Sequence, residues 1–160
     1  MPRGIYTVPF ARQSFTNANG DYDFCEITPA DDRPLELVAV FIGVKTEVGD
    51  AQAEMLDYSI VTDNATTGNG ASTTPRAIDS GEGDADANFT AETVASTPAS
   101  TGTAVVLHND TFNVQTGLQL VFPPEMRPVV RQSDTMLCVR LDTALADDAT
   151  ISGTVYVREI

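Results

Sequence analysis

Short stretches in which apolar and polar residues alternate recur along the whole chain, and this period of two constrains the fold more than any other feature. In the last stretch, TISGTVYVREI, the residues Ile151, Val155 and Val157 share one face, because successive side chains of a strand point to opposite faces. No segment longer than about ten residues carries a convincing helical stripe. The pattern predicts a protein built from strands that turn one apolar face toward a core.

The same criteria give about nine strands. They cover Ile5–Phe10, Tyr22–Ile27, Pro34–Val44, Met55–Val61, Ala104–His108, Thr111–Val114, Leu118–Phe122, Met136–Thr143 and Thr150–Ile160. Short strands separated by turn signals favour an all-β, antiparallel β-sandwich of jelly-roll type over a parallel sheet, which needs helices between its strands. The one helical hint is EVGDAQAEML, where Val48, Ala51 and Met55 can share a face.

The strand PLELVAVFIGV, residues 34–44, is apolar on both faces after Glu36. Such a strand is either covered on both sides or lies at an interface. In the strand MLCVRLDT, by contrast, Leu137, Val139 and Leu141 are expected to face the core and Arg140 to face outward.

A chain of 160 residues is expected to form a single domain over residues 1–160, since a chain of this size can bury a sufficient core. Pro9 interrupts the first apolar stretch, so residues 1–15 are predicted to be an edge strand or an N-terminal arm. Residues 63–103 are rich in Thr, Ser, Ala, Gly and Asp. We expect a long loop excursion there, with short strands near residues 76–78 and 89–94.

The charge balance argues against two classes of partner. Against 23 Asp and Glu stand only 9 Lys and Arg, which gives a net charge of -14 and disfavours nucleic acid and anionic membranes. The beginning of the chain lacks the apolar core of a signal peptide, and no later run approaches the ~20 apolar residues of a membrane span. We therefore expect assembly in a cytoplasm.

Catalytic and metal-binding patterns were sought among the polar residues. His108 and Asp110 lie close together, but no G-x-S-x-G elbow supplies a nucleophile, and one histidine cannot build a zinc site. His108 is interpreted as a turn residue. The acidic loop at residues 79–86 lacks EF-hand spacing, so a solvated loop is favoured over calcium binding. We expect no enzymatic activity, no catalytic residue, no metal and no cofactor.

Cys25 and Cys138 both lie in apolar strand patterns. Free cysteine behaves as a small buried hydrophobe, so two packed thiols are favoured over a disulfide. The sequence leaves the disulfide open.

Three prolines stiffen the connection FPPEMRP. Pro123, Pro124 and Pro128 fix φ and withhold N–H donors, so the segment cannot pair along its length and is predicted to leave the sheet as a rigid loop. Met126 and Arg127 are residue types enriched at interfaces, and a stiff loop lowers the ordering cost of binding. The alternative is a plain rigid turn. A second Arg-Pro corner, Arg33 and Pro34, precedes the strand at residues 34–44.

Four stretches together resemble one family. They are MPRGIYTVPF at the start, ITPADDRPLELVAVFIG before a core strand, the block STGTAVVLHNDTFNVQTGLQLVFPPEMRPVV, and TVYVREI at the end. The chain resembles the head decoration, or cement, proteins of tailed bacteriophages. The resemblance implies a non-enzymatic virion protein that binds the capsid exterior and stabilises the shell. Its partners would be the major capsid protein and further copies of itself, a homotrimer being favoured.

Residues that contact the capsid or another subunit are expected in the N-terminal stretch and the two Arg-Pro corners. The candidates are Arg3, Ile5, Tyr6, Val8, Phe10, Arg12, Arg33, Pro34, Pro123, Pro124, Met126, Arg127 and Pro128. The N-terminal stretch could add a strand to a neighbour. The alternative functions are a phage tail or baseplate component, and a receptor- or carbohydrate-binding β-sandwich whose site lies in residues 63–103.

Overall fold

The computed structural model describes residues 4–45, 54–79, 81, 87–133 and 135–160. Twelve strands are found in these residues: β1 (Ile5–Phe15), β2 (Tyr22–Pro29), β3 (Leu35–Val44), β4 (Met55–Asn64), β5 (Ala71–Thr73), β6 (Arg76–Ala77), β7 (Phe89–Ala95), β8 (Val105–Asn113), β9 (Leu118–Val121), β10 (Val129–Val130), β11 (Met136–Leu141) and β12 (Ala149–Glu159). A 3₁₀ turn covers Pro124–Met126. The candidate Arg3 and the helical hint at Val48 and Ala51 lie outside the described residues.

The strands form two antiparallel sheets of six strands each. Sheet A has the order β10-β3-β12-β1-β6, with β9 also paired to β3, and sheet B has the order β5-β7-β2-β11-β4-β8. Apolar side chains from both sheets pack into one core, for example Val8 and Val155 of sheet A with Ile60 and Val139 of sheet B. This architecture is the antiparallel β-sandwich that the period-two pattern predicts.

The N-terminal stretch is a strand of sheet A. β1 pairs with β12 from Ile5 to Phe15, and its other side pairs with β6 only at Tyr6 and Thr7. Tyr6, Val8 and Phe10 are buried in the core. In the structure this stretch is a strand of sheet A next to the two-residue edge strand β6, and these three side chains face the core.

Phe10 of β1 packs over Gly153 of β12, its direct cross-strand partner. A Cβ added at Gly153 would lie 2.7 Å from Phe10 Cζ and 2.9 Å from the Phe41 carbonyl oxygen. The missing side chain at this position is thus what gives the Phe10 ring its place in the core.

One long strand replaces two predicted short ones. β8 continues through His108 and Asp110 and pairs with β4 on both sides of a β-bulge at Leu107. His108 lies opposite Ile60, and its Nε2 is 3.2 Å from the Tyr58 hydroxyl. The interpretation of His108 as a turn residue is therefore wrong.

Where it is described, the segment 63–103 lies mostly against sheet B, while β6 pairs with β1 of sheet A. It contains the two expected short strands as β6 and β7 and adds a third, β5, which pairs with β7. Two buried carboxylates of β2 hold it, because Asp23 accepts a hydrogen bond from the Ala99 N–H at 2.7 Å and Glu26 accepts one from the Gly68 N–H at 2.8 Å. The two carboxylates thus bind backbone N–H groups of the segment, which in a solvated loop would bond to water.

Both cysteines are free and buried, as favoured from the sequence. Cys25 is the cross-strand partner of Val139, whereas Cys138 is the partner of Glu26. Cys25 packs in the core between the sheets, and Cys138 packs with Val61 and Met136 in a separate small cluster. The two thiols therefore lie on opposite faces of sheet B and cannot reach each other without a change of the sheet.

Candidate partner-binding surface on sheet A

The proline-rich segment is a five-residue insertion in an edge strand. The Phe122 N–H donates to the Val38 carbonyl at 3.0 Å, and the next residue of β3, Leu37, donates its N–H to the Pro128 carbonyl at 2.9 Å. Residues 123–127 therefore leave the sheet between two hydrogen bonds that are made to adjacent residues of β3. The segment thus leaves the sheet as a loop, hereafter called the proline loop (residues 123–127), and its rigidity stays a prediction.

A buried carboxylate fixes the end of the proline loop. Arg127 places Nη1 2.6 Å from Glu36 Oε1 and donates from Nε to the Phe122 carbonyl at 3.3 Å. Arg158 of β12 places Nε 2.7 Å from the same Glu36 oxygen. Two guanidinium groups thus neutralise Glu36, which is only 6% exposed, as a buried charge requires.

Cross-strand register places three rows of side chains on the outer face of sheet A, because directly paired residues share a face. The rows are Ile5–Arg158–Glu36–Val129, Thr7–Tyr156–Ala39–Val121 and Pro9–Thr154–Phe41–Gln119. Each row crosses β1, β12, β3 and the β9–β10 edge. We call this face, together with the proline loop, the sheet A surface.

Much of the sheet A surface is apolar and exposed. Val121 is 62% exposed and Met126 at the tip of the proline loop is 68% exposed, while Phe41, Val129 and Ile5 are each between 37% and 38% exposed. The Phe41 ring meets the Tyr156 ring edge-on, with centroids 5.7 Å apart. Exposed apolar residues gathered on one flat face mark an interaction site more often than the same residues scattered singly.

A shallow groove of about 570 Å³ continues this surface toward the turn at Gly117. It runs over Gly43 of β3 and Gly153 of β12 and is walled by Pro9, Phe41 and Leu118. The groove therefore offers a depression in which a partner side chain could pack.

The predicted candidates do not form one site. Ile5, Met126, Arg127 and the exposed Pro123 and Pro124 belong to the sheet A surface. Tyr6, Val8 and Phe10 are core residues. The remaining described candidates are Arg12, exposed at a β-bulge of β1, Arg33, exposed before β3, and the half-buried Pro34 and Pro128.

Sequence reasoning missed Phe41, Val121, Val129 and Tyr156 as surface residues. The signal for Phe41 was present, because residues 34–44 are apolar on both faces. Val121 and Val129 had no such signal, since their exposure depends on their register with Ala39 and Glu36.

In the part of the chain that the structure describes, no group of three or more His, Cys, Asp or Glu side chains is arranged to hold a metal ion. Most of the acidic loop at residues 79–86 is outside that part, so calcium binding there stays an open prediction. Among the described helices, none has the length and hydropathy to cross a membrane.

No protein-family model matches the sequence, and no curated protein matches it. Partial likenesses among solved structures include viruses and viral capsid proteins. A structure of the Gx strain of infectious bursal disease virus is 13% identical with a TM-score of 0.33, and the match covers 96% of this chain and 32% of that chain. This chain thus spans about a third of the length of that protein.

Two further likenesses come from bacteriophage P23-77. In the complex of its two major capsid proteins, VP16 and VP17, the match is 12% identical with a TM-score of 0.22 and covers 98% of this chain and 99% of that chain. VP17 alone gives 10% identity, a TM-score of 0.22, and coverage of 98% and 95%. TM-scores this low do not establish a common fold, so nothing further is taken from these proteins.

Proposed function

We propose that this chain is a non-enzymatic virion structural protein that binds the outer surface of a phage capsid and stabilises the shell, as a head decoration protein does. The observation that carries the proposal is the sheet A surface, with Val121 and Met126 more than half exposed beside Phe41 and Val129. Such a surface has the composition of an interface core, in which apolar and aromatic residues are enriched and unpaired charges depleted.

The proline loop supports a repeated, rigid contact. Its two attachment points on β3 and the Arg127–Glu36 ion pair hold it in one shape before any partner binds. A preformed loop loses little conformational entropy on binding. Met126 at its tip is therefore proposed to insert into a recess of the major capsid protein.

The charge of the chain supports an exterior position. With a net charge of -14, the protein is repelled by packaged nucleic acid. Placement on the outside of the shell keeps the protein away from the phosphate backbone.

The symmetry of the shell favours a symmetric oligomer of the bound protein, which is a homotrimer in this proposal.

The direct test is the copy number of this protein relative to the major capsid protein in purified particles, measured by quantitative mass spectrometry. A ratio near one, or about one to three, is expected for a protein that follows the head lattice. A few copies per particle would instead indicate a tail or baseplate component, and absence from the particle would overturn the proposal.

The rival function is carbohydrate binding through residues 63–103. Deleting a segment of the chain is a poor test of it. Removing residues 63–103 would delete β5 and β7, which form one end of sheet B, and removing residues 2–12 would delete much of β1 from sheet A. Both deletions remove paired strands with core side chains, so loss of binding would not distinguish a lost site from misfolding. Binding of the intact chain to a glycan array, with competition by free sugar, addresses the rival without this problem.

A further inference from the structure

The two sheets have four edges, and the described strands that end three of them are short. Sheet A ends at the β9–β10 edge, which the proline loop divides, and at the two-residue β6. Beyond β6, β1 has no described strand on that side from Val8 onward, but it contains Pro9 and a β-bulge after Phe10, and both disfavour pairing. Sheet B ends at β5, which has three residues, and at β8, which has nine. Proteins usually protect long edges, because the unpaired N–H and C=O groups of such a strand can pair with another chain.

β8 combines a long edge with exposed apolar side chains. Val105, Val106 and Leu107 follow one another and are 39%, 57% and 48% exposed. Within the described chain β8 pairs only with β4, so about half of its backbone groups point away from the sheet. The strand therefore offers hydrogen bonds and apolar contacts to an added strand.

A groove of about 600 Å³ lies beside β8 on the outer face of sheet B. The charges of the residues that line it indicate the charge of a complementary partner. Asp57, Asp110 and Asp142 line one part of it, and Val61 and Val106 line another. The cation in its wall, Arg140, is engaged by Asp23 through two hydrogen bonds. The groove is thus complementary to a positively charged segment.

We propose that β8 accepts an extended segment of a partner protein as an added strand, and that this segment carries Arg or Lys side chains between apolar ones. Its backbone pairs with the free edge of β8, its apolar side chains pack on Val105, Val106 and Leu107, and its cations approach the carboxylates of the groove, Asp57 and Asp142. This is strand addition, in which the main chain supplies affinity and the alternating side chains supply specificity.

A second copy of this chain fits the edge less well. Pairing β8 with β8 would bring together two acidic grooves on molecules that each carry a net charge of -14, and like charges across an interface oppose association. Self-association is therefore the alternative occupant that the experiment must detect.

The test uses the purified full chain and two labelled peptides of about nine residues. One alternates Val and Thr with Arg, and its counterpart carries Glu in place of every Arg. Fluorescence anisotropy should show the Arg peptide binding at least about tenfold more tightly than the Glu peptide. Hydrogen exchange should show new protection of backbone amides within β8.

A matched pair of variants locates the binding. Val106→Lys places a repelling cation on the edge and should weaken binding of the Arg peptide about tenfold. Ile78→Lys alters a residue that is similarly exposed, at 55% against 57%, but lies outside β8, and should leave binding unchanged. Urea midpoints equal to that of the parent protein would show that both variants are folded.

Three results would overturn the proposal. The first is failure of the Arg peptide to bind, or equal binding of both peptides. The second is protection confined to residues outside β8. The third is self-association of the parent protein, seen by sedimentation, that Val106→Lys abolishes, because a second copy would then occupy the edge. Since no capsid takes part, these results are independent of the copy-number test.

Discussion

Arg140 and Asp23 are direct cross-strand partners on β11 and β2, and their side chains form a bidentate ion pair with Nε 2.6 Å from Oδ1 and Nη2 3.0 Å from Oδ2. The same Arg140 Nη2 donates to the Ala99 carbonyl at 2.9 Å, and Asp23 accepts from the Ala99 N–H. The ion pair therefore holds both backbone groups of one residue in the segment 63–103. It links that segment to sheet B.

Replacing Asp23 should be strongly destabilising. Asp23→Ala leaves Arg140 without its partner and the Ala99 N–H without its acceptor, and loss of one member of a buried ion pair costs about 3–5 kcal/mol. Urea denaturation measures the free energy of unfolding. The exposed Asp147 provides the control, since Asp147→Ala should change stability by less than about 0.5 kcal/mol. Equal effects of the two substitutions would contradict this role.

Glu26 should make stability depend on pH. Burial, with the nearby Asp23 and Glu92 carboxylates adding to it, raises the pKa of Glu26 from 4.5 to about 7. Because the folded pKa lies above the unfolded one, the stabilising contribution is full below about pH 4.5 and is lost as the pH rises through about 7. The loss is on the order of 2–3 kcal/mol.

Glu26→Gln removes this titration and retains an oxygen for the Gly68 N–H. The variant should gain stability relative to the parent as the pH rises from about 5 to about 8, measured as urea midpoints. Glu125→Gln, at an exposed position of the proline loop, should follow the parent at every pH. Parallel curves for the parent and Glu26→Gln would show that Glu26 titrates normally.

Gly153→Ala should destabilise the sandwich by about 1–3 kcal/mol, because the added methyl overlaps the Phe10 ring and the Phe41 carbonyl. Gly43→Ala is the matched control on the adjacent strand, where an added Cβ has nothing within 4 Å. Shortening Phe10 to Leu should recover part of the loss in the double variant. Independent, additive effects of the two substitutions would exclude the contact as the cause.

Both thiols should be inert in the folded protein. Burial raises the pKa of Cys25 and of Cys138 well above the ordinary value, so neither forms the thiolate that reacts with disulfide reagents. Titration with such a reagent should detect no thiol in native buffer and both after denaturation. If only one thiol, or no thiol, is detected after denaturation under non-reducing conditions, a cysteine is covalently modified.

Val121→Lys should weaken attachment to capsids if the sheet A surface is the contact. A charge placed at the centre of an apolar interface costs at least about 2 kcal/mol, or more than tenfold in affinity. Co-sedimentation with capsids that lack the protein measures this. Met55→Lys, at a residue of β4 in sheet B that is 53% exposed, is the control. Equal retention of both variants would move the contact to another face.

The sandwich could be predicted because its pattern is local. The alternation of Leu137, Val139 and Leu141 places their side chains inside, as found, and the same holds for Val155 and Val157. The sequence predicts two short strands in place of β8, because Asn109 and Asp110 are typical of turns. In the structure both residues lie in an exposed edge strand, where polar residues are tolerated.

The partners of buried charges could not be predicted. Asp23 and Arg140 are 117 positions apart and Glu36 and Arg127 are 91 apart, so nothing local in the sequence joins them. The sheet A surface was missed in part for the same reason, since Val121 belongs to it only through its register with Ala39.

The interrupted edge at the proline loop also limits how the molecule can assemble. A sheet protein with two open edges can be extended at both, and copies then propagate into fibres. Here residues 123–127 divide the β9–β10 edge into two short strands. No long strand can pair along this edge in one register, so a continuous sheet cannot grow through it from molecule to molecule.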